Sequence, residues 1–267
     1  MIRFLVCLCA GAAAAGPAAA QDWAKARLEK SPRHGEWVKV KHGDREVTSF
    51  VVYPEVKDKA TAVVVIHEIF GLTDWVRSVA DQLAEAGFIA IAPDLLSGAG
   101  PKGGGTDSFK GEEVRKAIMG LPPDQVTADL NAAAHYAWKL PACNGKVTVA
   151  GFCWGGGQSF RFATNSKAIK GAFVFYGAMT EKDQEAGVTK IAAPVYAFYG
   201  GNDARINATI PKTTEAMKAA SKTYDPVTYE GAGHGFMRAG EAPDANPANK
   251  KARDEAWKRW TELLKKV

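Results

Sequence analysis

A continuous run of apolar residues at positions 62–66 limits the folds open to this chain more than any other stretch. A β-strand that is apolar on both faces must be buried on both faces, as the strands of parallel sheets are. Further short apolar runs at 88–92, 146–150, 171–175 and 195–199 alternate with segments whose apolar residues have helical spacing. This alternation predicts an α/β fold with a mostly parallel central sheet, flanked by helices on both faces.

The remaining elements follow from turn signals and periodicity. Residues 37–40 and 47–53, separated by a turn at 42–44, predict a hairpin, and 224–229 predict a last strand. Asp124 follows two prolines and is expected to cap the helix that it begins. Helices are predicted over 74–86, 111–119 and 124–140, around 210–220, and from about Asn249 onward. With no internal repeat, residues 21–267 are expected to form one domain.

The first twenty residues have the three parts of a secretory signal peptide. A short basic start precedes an alanine-rich apolar stretch, and small residues then lead to Gln21, which predicts cleavage after Ala20. The apolar stretch is too short to span a bilayer comfortably. We therefore expect residues 1–20 to be a signal peptide, the mature protein to reach the bacterial periplasm, and no stable membrane insertion to follow.

Charge and histidine spacing exclude several kinds of partner. The net charge is only +5, and the basic residues near the C-terminus interleave with acidic ones, which indicates a solvated helix face rather than a nucleic-acid surface. Four histidines lack the spacing of metal ligands: His34, His42, His67 and His135. Neither a metal nor an organic cofactor is expected, and the oligomeric state is open, with a monomer favoured.

Two cysteines remain after the predicted cleavage, Cys143 and Cys153. They flank the strand predicted at 146–150, and five extended residues cover about 16 Å. A disulfide needs Cα atoms within about 7 Å. Both thiols are therefore expected to be free, although exported proteins commonly pair their cysteines.

Cys153 lies in the segment Gly151-Phe152-Cys153-Trp154-Gly155, directly between a predicted strand and a predicted helix. This is the pattern of a nucleophile elbow with cysteine in place of the usual serine. The N–H groups and positive dipole end of the helix would face the sulfur, so the setting is expected to favour the thiolate. The alternative is a structural cysteine beside a phosphate loop, but the Gly-Lys-Ser/Thr ending of such loops is absent.

A cysteine nucleophile needs a base and a group that orients the base. His234 is the only histidine after Cys153 and stands in a glycine-rich turn after the last predicted strand. Asp203 follows the strand at 195–199 and completes the order nucleophile, acid, histidine. Asp183 and Asp225 also fit that order, but neither follows a strand end with a turn.

Four stretches together resemble the dienelactone hydrolase family of α/β-hydrolases, in the correct order and over nearly the whole mature chain. They are His67-Glu68-Ile69-Phe70-Gly71-Leu72, Ala92-Pro93-Asp94-Leu95, Gly151-Phe152-Cys153-Trp154-Gly155-Gly156 and Gly233-His234-Gly235-Phe236. The resemblance implies a Cys-His-Asp triad and an oxyanion hole made by the backbone N–H groups of Ile69 and Trp154. It also implies that Glu68 is a gate that lies near the thiol when no substrate is bound.

The resemblance further implies two arginines that hold a substrate carboxylate. Arg238 matches one of them, but the chain has no arginine at 96–99, where the other is expected. Lys102 or Arg205 would have to replace it. We therefore predict hydrolysis of a small ester or lactone through an acyl-enzyme. The alternatives are a broad-specificity periplasmic carboxylesterase or thioesterase, and a non-catalytic binding protein on the same fold.

Overall fold

The computed structural model of the protein describes residues 21–180, 183 and 187–267. The predicted signal peptide, residues 1–20, lies outside the described residues, so its cleavage stays a prediction. In the described part of the chain, no helix has the length and apolar character needed to cross a membrane.

Eight strands form one sheet in the order β1-β2-β4-β3-β5-β6-β7-β8. Strand β2 pairs antiparallel with β1 and with β4, and all other neighbouring pairs are parallel. The mostly parallel sheet predicted from the sequence is confirmed. The strands are β1 (Gly35–His42), β2 (Arg45–Val52), β3 (Ala60–Ile66), β4 (Ile89–Pro93), β5 (Cys143–Phe152), β6 (Ala172–Phe175), β7 (Val195–Gly200) and β8 (Tyr224–Tyr229).

Helices pack on both faces of this sheet, and strand β3 explains why. Its residues are all buried, and they alternate between two hydrophobic clusters: Val64 and Ile66 face one, and Val63 and Val65 face the other. The described helices are α1 (Asp22–Glu29), α2 (Asp74–Glu85), α3 (Glu112–Met119), α4 (Pro123–Lys139), α5 (Trp154–Asn165), α6 (Ala204–Asn207), α7 (Ile210–Ala219), α8 (Phe236–Ala239) and α9 (Pro247–Leu264). Helices α4, α5 and α7 contribute to the first cluster, and α1, α2, α8 and α9 to the second.

Two local predictions require correction. The N-cap of α4 is Pro122, and no side chain caps this helix, so Asp124 is not its cap. The last helix begins at Pro247, two residues before the predicted start. Its N-cap is Asn246, whose side chain accepts a hydrogen bond from the N–H of Asn249.

Helix α1 was not predicted from the sequence. This helix has almost no apolar stripe, yet Ala24 is fully buried, and Gln21 just before it accepts a hydrogen bond from the N–H of Trp75 at 3.3 Å. Tertiary packing against α2 therefore holds a segment whose own periodicity is weak.

The parallel strands bring four functional segments to one edge of the sheet. The chain leaves β3 at Glu68, β5 at Cys153, β7 toward Asp203 and β8 toward His234. Parallel strands present their carboxyl ends on the same side, which is where open α/β sheets bind ligands. Residues far apart in the sequence therefore meet at this edge.

Candidate active site

Cys153 lies at the sharp turn between β5 and α5, with φ of 55° in the left-handed region. A side chain at Gly151 would place its Cβ 1.9 Å from the carbonyl oxygen of Gly155. A side chain at Gly155 would place its Cβ 2.4 Å from the carbonyl oxygen of His67. The glycines are therefore needed for the close approach of strand, helix and neighbouring strand end, which is the geometry of a nucleophile elbow.

His234 and Asp203 stand in line with the sulfur. Nε2 of His234 lies 3.0 Å from Sγ of Cys153, and Nδ1 of the same ring lies 2.5 Å from Oδ2 of Asp203. A carboxylate only accepts hydrogen bonds, so Nδ1 carries the proton and Nε2 is left to accept from the thiol. The structure brings together the three residues that the sequence predicted as a triad.

The two rival carboxylates have other partners than His234. Asp183 accepts a hydrogen bond from the Thr180 hydroxyl at 2.5 Å and faces Nε of Arg161 at 3.5 Å. Asp225 pairs with Arg259 at 2.9 Å. Asp203 is buried. It is also the N-cap of helix α6, where its side chain accepts a hydrogen bond from the N–H of Ile206. Position after a strand end thus distinguishes Asp203 from its rivals.

The expectation that the turn favours the thiolate is wrong for this resting arrangement. Burial, together with the negative charge of Glu68, raises the pKa of the Cys153 thiol to about 11. The N–H of Trp154 and the positive charges of Arg205 and Arg238 lower this pKa, but they do not outweigh desolvation. The thiol is therefore protonated at neutral pH.

Glu68 is buried and forms an ion pair with Arg238, whose Nε donates to Oε2 of Glu68 at 2.8 Å. The guanidinium of Arg238 also lies over the ring of Phe70, 5.3 Å from its centroid. The resemblance implied that Glu68 lies near the thiol; in the structure its charge reaches the thiol, while Arg238 holds its carboxylate and His234 contacts the sulfur. Glu68 acts on Cys153 through its charge.

A cleft of about 430 Å³ opens above the sulfur. Ile69 and Trp154, the two predicted oxyanion donors, both line it. The N–H of Ile69 has no acceptor among the described residues, and Trp154 is the first residue of α5, where backbone N–H groups lack partners within the helix. The N–H of Ile69 is thus available to a bound ligand, and the N–H of Trp154 lies beside the sulfur.

The cleft also contains two cationic side chains. Arg205 lines it and forms no ion pair or hydrogen bond with any residue that the structure describes. Arg115 of helix α3 lines it as well, 3.8 Å from Glu112. Lys102 and Arg238 are not among the lining residues. Of the two proposed substitutes for the absent arginine, only Arg205 is in place.

Two parts of this cleft were not predicted from the sequence. Tyr176, just after β6, lies with its ring edge toward His234 at a centroid distance of 5.2 Å, and its position at the carboxyl end of a strand was the available signal. Arg115 comes from a helix whose sequence gave no sign of its position. In the part of the chain that the structure describes, no three His, Cys, Asp or Glu side chains are placed to hold a metal ion.

The fold is that of an α/β-hydrolase, as shown by the sheet topology, the elbow at Cys153 and the line of contacts from Cys153 through His234 to Asp203. The chain belongs to the dienelactone hydrolase family, whose model matches residues 47–267. It is 32% identical over 233 residues to a predicted carboxymethylenebutenolidase of Methylorubrum extorquens, covering 83% of this chain and 77% of that protein. It is 29% identical over 208 residues to the carboxymethylenebutenolidase of Pseudomonas putida, covering 76% of this chain and 86% of that protein. The protein is thus an enzyme of the carboxylic ester hydrolase class.

Solved structures agree with the fold. A predicted dienelactone hydrolase of Klebsiella pneumoniae superimposes with a TM-score of 0.77 at 23% identity, covering 88% of this chain and 99% of that one. A dienelactone hydrolase of Anabaena variabilis gives a TM-score of 0.62 at 19% identity, covering 84% of this chain and 95% of that one.

Proposed function

We propose that the protein hydrolyses a small carboxylic ester or lactone through a thioester intermediate on Cys153. The observation that carries this proposal is the 3.0 Å contact between Sγ of Cys153 and Nε2 of His234, continued at 2.5 Å to Asp203. A base that is itself oriented by a carboxylate can take the thiol proton as the sulfur attacks. The pKa of about 11 for the resting thiol makes this coupled transfer necessary at neutral pH.

In the first half-reaction, Sγ bonds to the carbonyl carbon and its proton moves to Nε2 of His234. The carbonyl oxygen becomes an oxyanion that accepts from the N–H groups of Ile69 and Trp154. The carbon–oxygen ester bond then breaks, and the leaving alkoxide takes the proton from His234. In a lactone this alkoxide stays attached to the acyl group.

In the second half-reaction, a water molecule is the nucleophile in place of the thiol. His234 takes a proton from the water as its oxygen attacks the thioester carbon, and the same two N–H groups again hold the oxyanion. The carbon–sulfur bond breaks and the sulfur recovers its proton. The acid product leaves, and the enzyme returns to the protonated thiol that its raised pKa favours.

A small lactone is the substrate that we favour, because the relatives in Methylorubrum extorquens and Pseudomonas putida are named as carboxymethylenebutenolidases. A broader carboxylesterase is the second candidate. It is favoured by the engagement of Arg238 with Glu68 and Phe70, because the matched clamp arginine already has a carboxylate partner within the protein.

The mechanism is tested by comparing the two free cysteines, which lie at opposite ends of β5. Cys153→Ala should abolish hydrolysis of p-nitrophenyl acetate, and Cys143→Ala, the matched control, should retain it. Mass spectrometry after a rapid quench should find the acyl adduct on Cys153 alone. Hydrolysis that survives Cys153→Ala would overturn the mechanism.

The substrate is tested by kcat/KM on carboxymethylenebutenolide and on p-nitrophenyl acetate under the same conditions. A clear preference for the lactone supports the first candidate, and comparable values support the broader carboxylesterase. Inactivity on both compounds and on a series of thioesters would instead favour the non-catalytic binding protein.

We also propose export to the periplasm, with residues 1–20 removed as a signal peptide. The order of basic, apolar and small residues before Gln21 supports this proposal. The intact mass of protein from a periplasmic fraction should correspond to a chain that begins at Gln21, and size-exclusion chromatography of the same sample should give a monomer. Full-length protein in the cytoplasmic fraction would contradict export.

A further inference from the structure

His67 follows strand β3 directly and is fully buried. Its Nδ1 lies 2.8 Å from the backbone carbonyl oxygen of Glu68. A carbonyl oxygen only accepts hydrogen bonds, so Nδ1 carries a proton and donates to this oxygen. Burial lowers the pKa of His67, so the ring is neutral and its proton resides on Nδ1.

The carbonyl that His67 holds belongs to the peptide unit that also contains the N–H of Ile69. This unit is trans, since the described residues include no cis peptide bond, and in a planar trans unit the N–H points opposite to the C=O. The N–H of Gly71 donates to the same carbonyl at 3.2 Å. Two donors thus hold the C=O on one side, while the N–H of Ile69, on the cleft wall, has no acceptor within the described part of the chain.

The same imidazole contacts the residue that supplies the second oxyanion donor. The rings of His67 and Trp154 stack with centroids 5.6 Å apart and planes 13° from parallel. Behind them, Gly155 approaches the carbonyl of His67 so closely that no side chain could stand there. His67 therefore contacts both segments that supply the proposed oxyanion donors, through the Glu68 carbonyl in one and through the ring of Trp154 in the other.

Packing does not explain why this residue is a histidine. Its Nε2 is buried and has no hydrogen-bond partner among the described residues. A buried acceptor without a partner destabilises a folded protein, and a phenylalanine would stack on Trp154 without that penalty. What the histidine adds over phenylalanine is the donor at Nδ1.

We propose that His67 is a positioning residue, which orients the Ile69 N–H toward the oxyanion by holding the Glu68 carbonyl while it stacks on Trp154. The proposal rests on the proposed function, because it assigns the Ile69 N–H to the transition state of ester hydrolysis. His67 itself touches neither the substrate nor the sulfur.

Two substitutions separate the donor from the ring. His67→Phe keeps a flat ring against Trp154 and removes the donor, whereas His67→Asn keeps a donor close to the position of Nδ1. His135→Phe is the matched control, because His135 stacks on Trp138 at 5.8 Å and 16° on the exposed surface of α4. The measurements are kcat and KM on p-nitrophenyl acetate, the rate of Cys153 alkylation by iodoacetamide, and thermal unfolding.

We expect His67→Phe to lower kcat about 10- to 100-fold, less than or equal to the loss of a whole oxyanion donor, with little change in KM. Alkylation develops no oxyanion, so its rate should stay unchanged, and the Tm should not fall. His67→Asn should restore most of kcat, and His135→Phe should behave as the wild type.

A normal kcat in His67→Phe would overturn the inference while leaving the proposed function intact, provided that hydrolysis still requires Cys153. A parallel fall in kcat, alkylation rate and Tm would also overturn it, because that pattern indicates general damage. Hydrolysis that is independent of Cys153 would overturn the proposed function and this inference together.

Discussion

Arg238 donates through Nε to the carboxylate of Glu68 at 2.8 Å, and that carboxylate is the nearby negative charge that raises the pKa of the Cys153 thiol. Both partners of the pair therefore act on the sulfur, with opposite signs. Removing either charge of this pair is therefore expected to shift the pKa of the thiol, in opposite directions for the two partners.

Glu68→Gln should make the thiol more acidic. Loss of the carboxylate removes a charge that raises the Cys153 pKa and leaves the positive charge of Arg238 uncompensated, so both changes shift the pKa downward from about 11. The rate of alkylation by iodoacetamide, measured from pH 7 to pH 11, should rise at lower pH in the variant than in the wild type, because the thiolate is the reactive form.

The control for this measurement is Glu85→Gln, which removes an exposed carboxylate paired with Arg27 and outside the cleft. Its alkylation profile should superimpose on that of the wild type. A Glu68→Gln profile with an unchanged or higher midpoint would mean that burial alone sets the pKa of the thiol.

Asp203→Asn should lower kcat on the order of 100-fold or more, because an amide no longer fixes the proton on Nδ1 of His234. The asparagine can still accept from the N–H of Ile206, so helix α6 should be retained. Asp183→Asn is the matched control, since Asp183 also lines the cleft but pairs with Arg161. The measurement is kcat of both variants on p-nitrophenyl acetate. An equal loss of kcat in both variants would reject Asp203 as the residue that orients His234.

Strand order along the chain was enough to predict which residues meet at the sheet edge. The strands β3, β5 and β7 are followed by His67-Glu68, by Cys153 and by a turn to Asp203, and parallel pairing places those ends together. The family pattern then added the oxyanion donors Ile69 and Trp154. These residues act through their backbone N–H groups, which every residue type except proline has, so the residue types alone could not identify them.

The pKa of Cys153 and the partner of Glu68 could not be read from the sequence, because both depend on burial and on side-chain direction. A helix N-terminus predicts a thiolate, but desolvation of the sulfur outweighs it. Arg115 could not be assigned to the cleft either, since its contact depends on how helix α3 packs over the sheet edge rather than on any motif.

Arg205→Gln should weaken binding of anionic acyl groups without affecting neutral ones. Its guanidinium has no ionic partner among the described residues and acts on Cys153 from the cleft wall. At low ionic strength, KM for mono-p-nitrophenyl succinate should rise about threefold, the scale of an exposed charge pair. KM for p-nitrophenyl butyrate, which has a methyl group in place of the carboxylate, should not change.

Salt provides the internal check on this prediction. An interaction between exposed charges is screened at high ionic strength, so the difference between the wild type and Arg205→Gln should shrink in 0.5 M salt, where the Debye length is only about 4 Å. An equal rise of KM for both esters would instead indicate that the substitution changes the shape of the cleft.

Asp129→Asn should destabilise the fold rather than alter the chemistry. Asp129 is fully buried on α4, accepts from Nε and Nη2 of Arg45 at 2.8 to 3.0 Å, and contacts Nε2 of His42 at 2.6 Å. These contacts tie the β1–β2 hairpin to α4, and loss of the carboxylate leaves a partly buried guanidinium without its counter-charge. We expect the free energy of unfolding in urea to fall by about 3 kcal/mol.

The control is Glu46→Gln, because Glu46 lies on the same hairpin but pairs with the exposed side chains of Lys39 and Lys41. This variant should leave the urea midpoint unchanged. An equal shift in both variants would show that the buried pair has no special role.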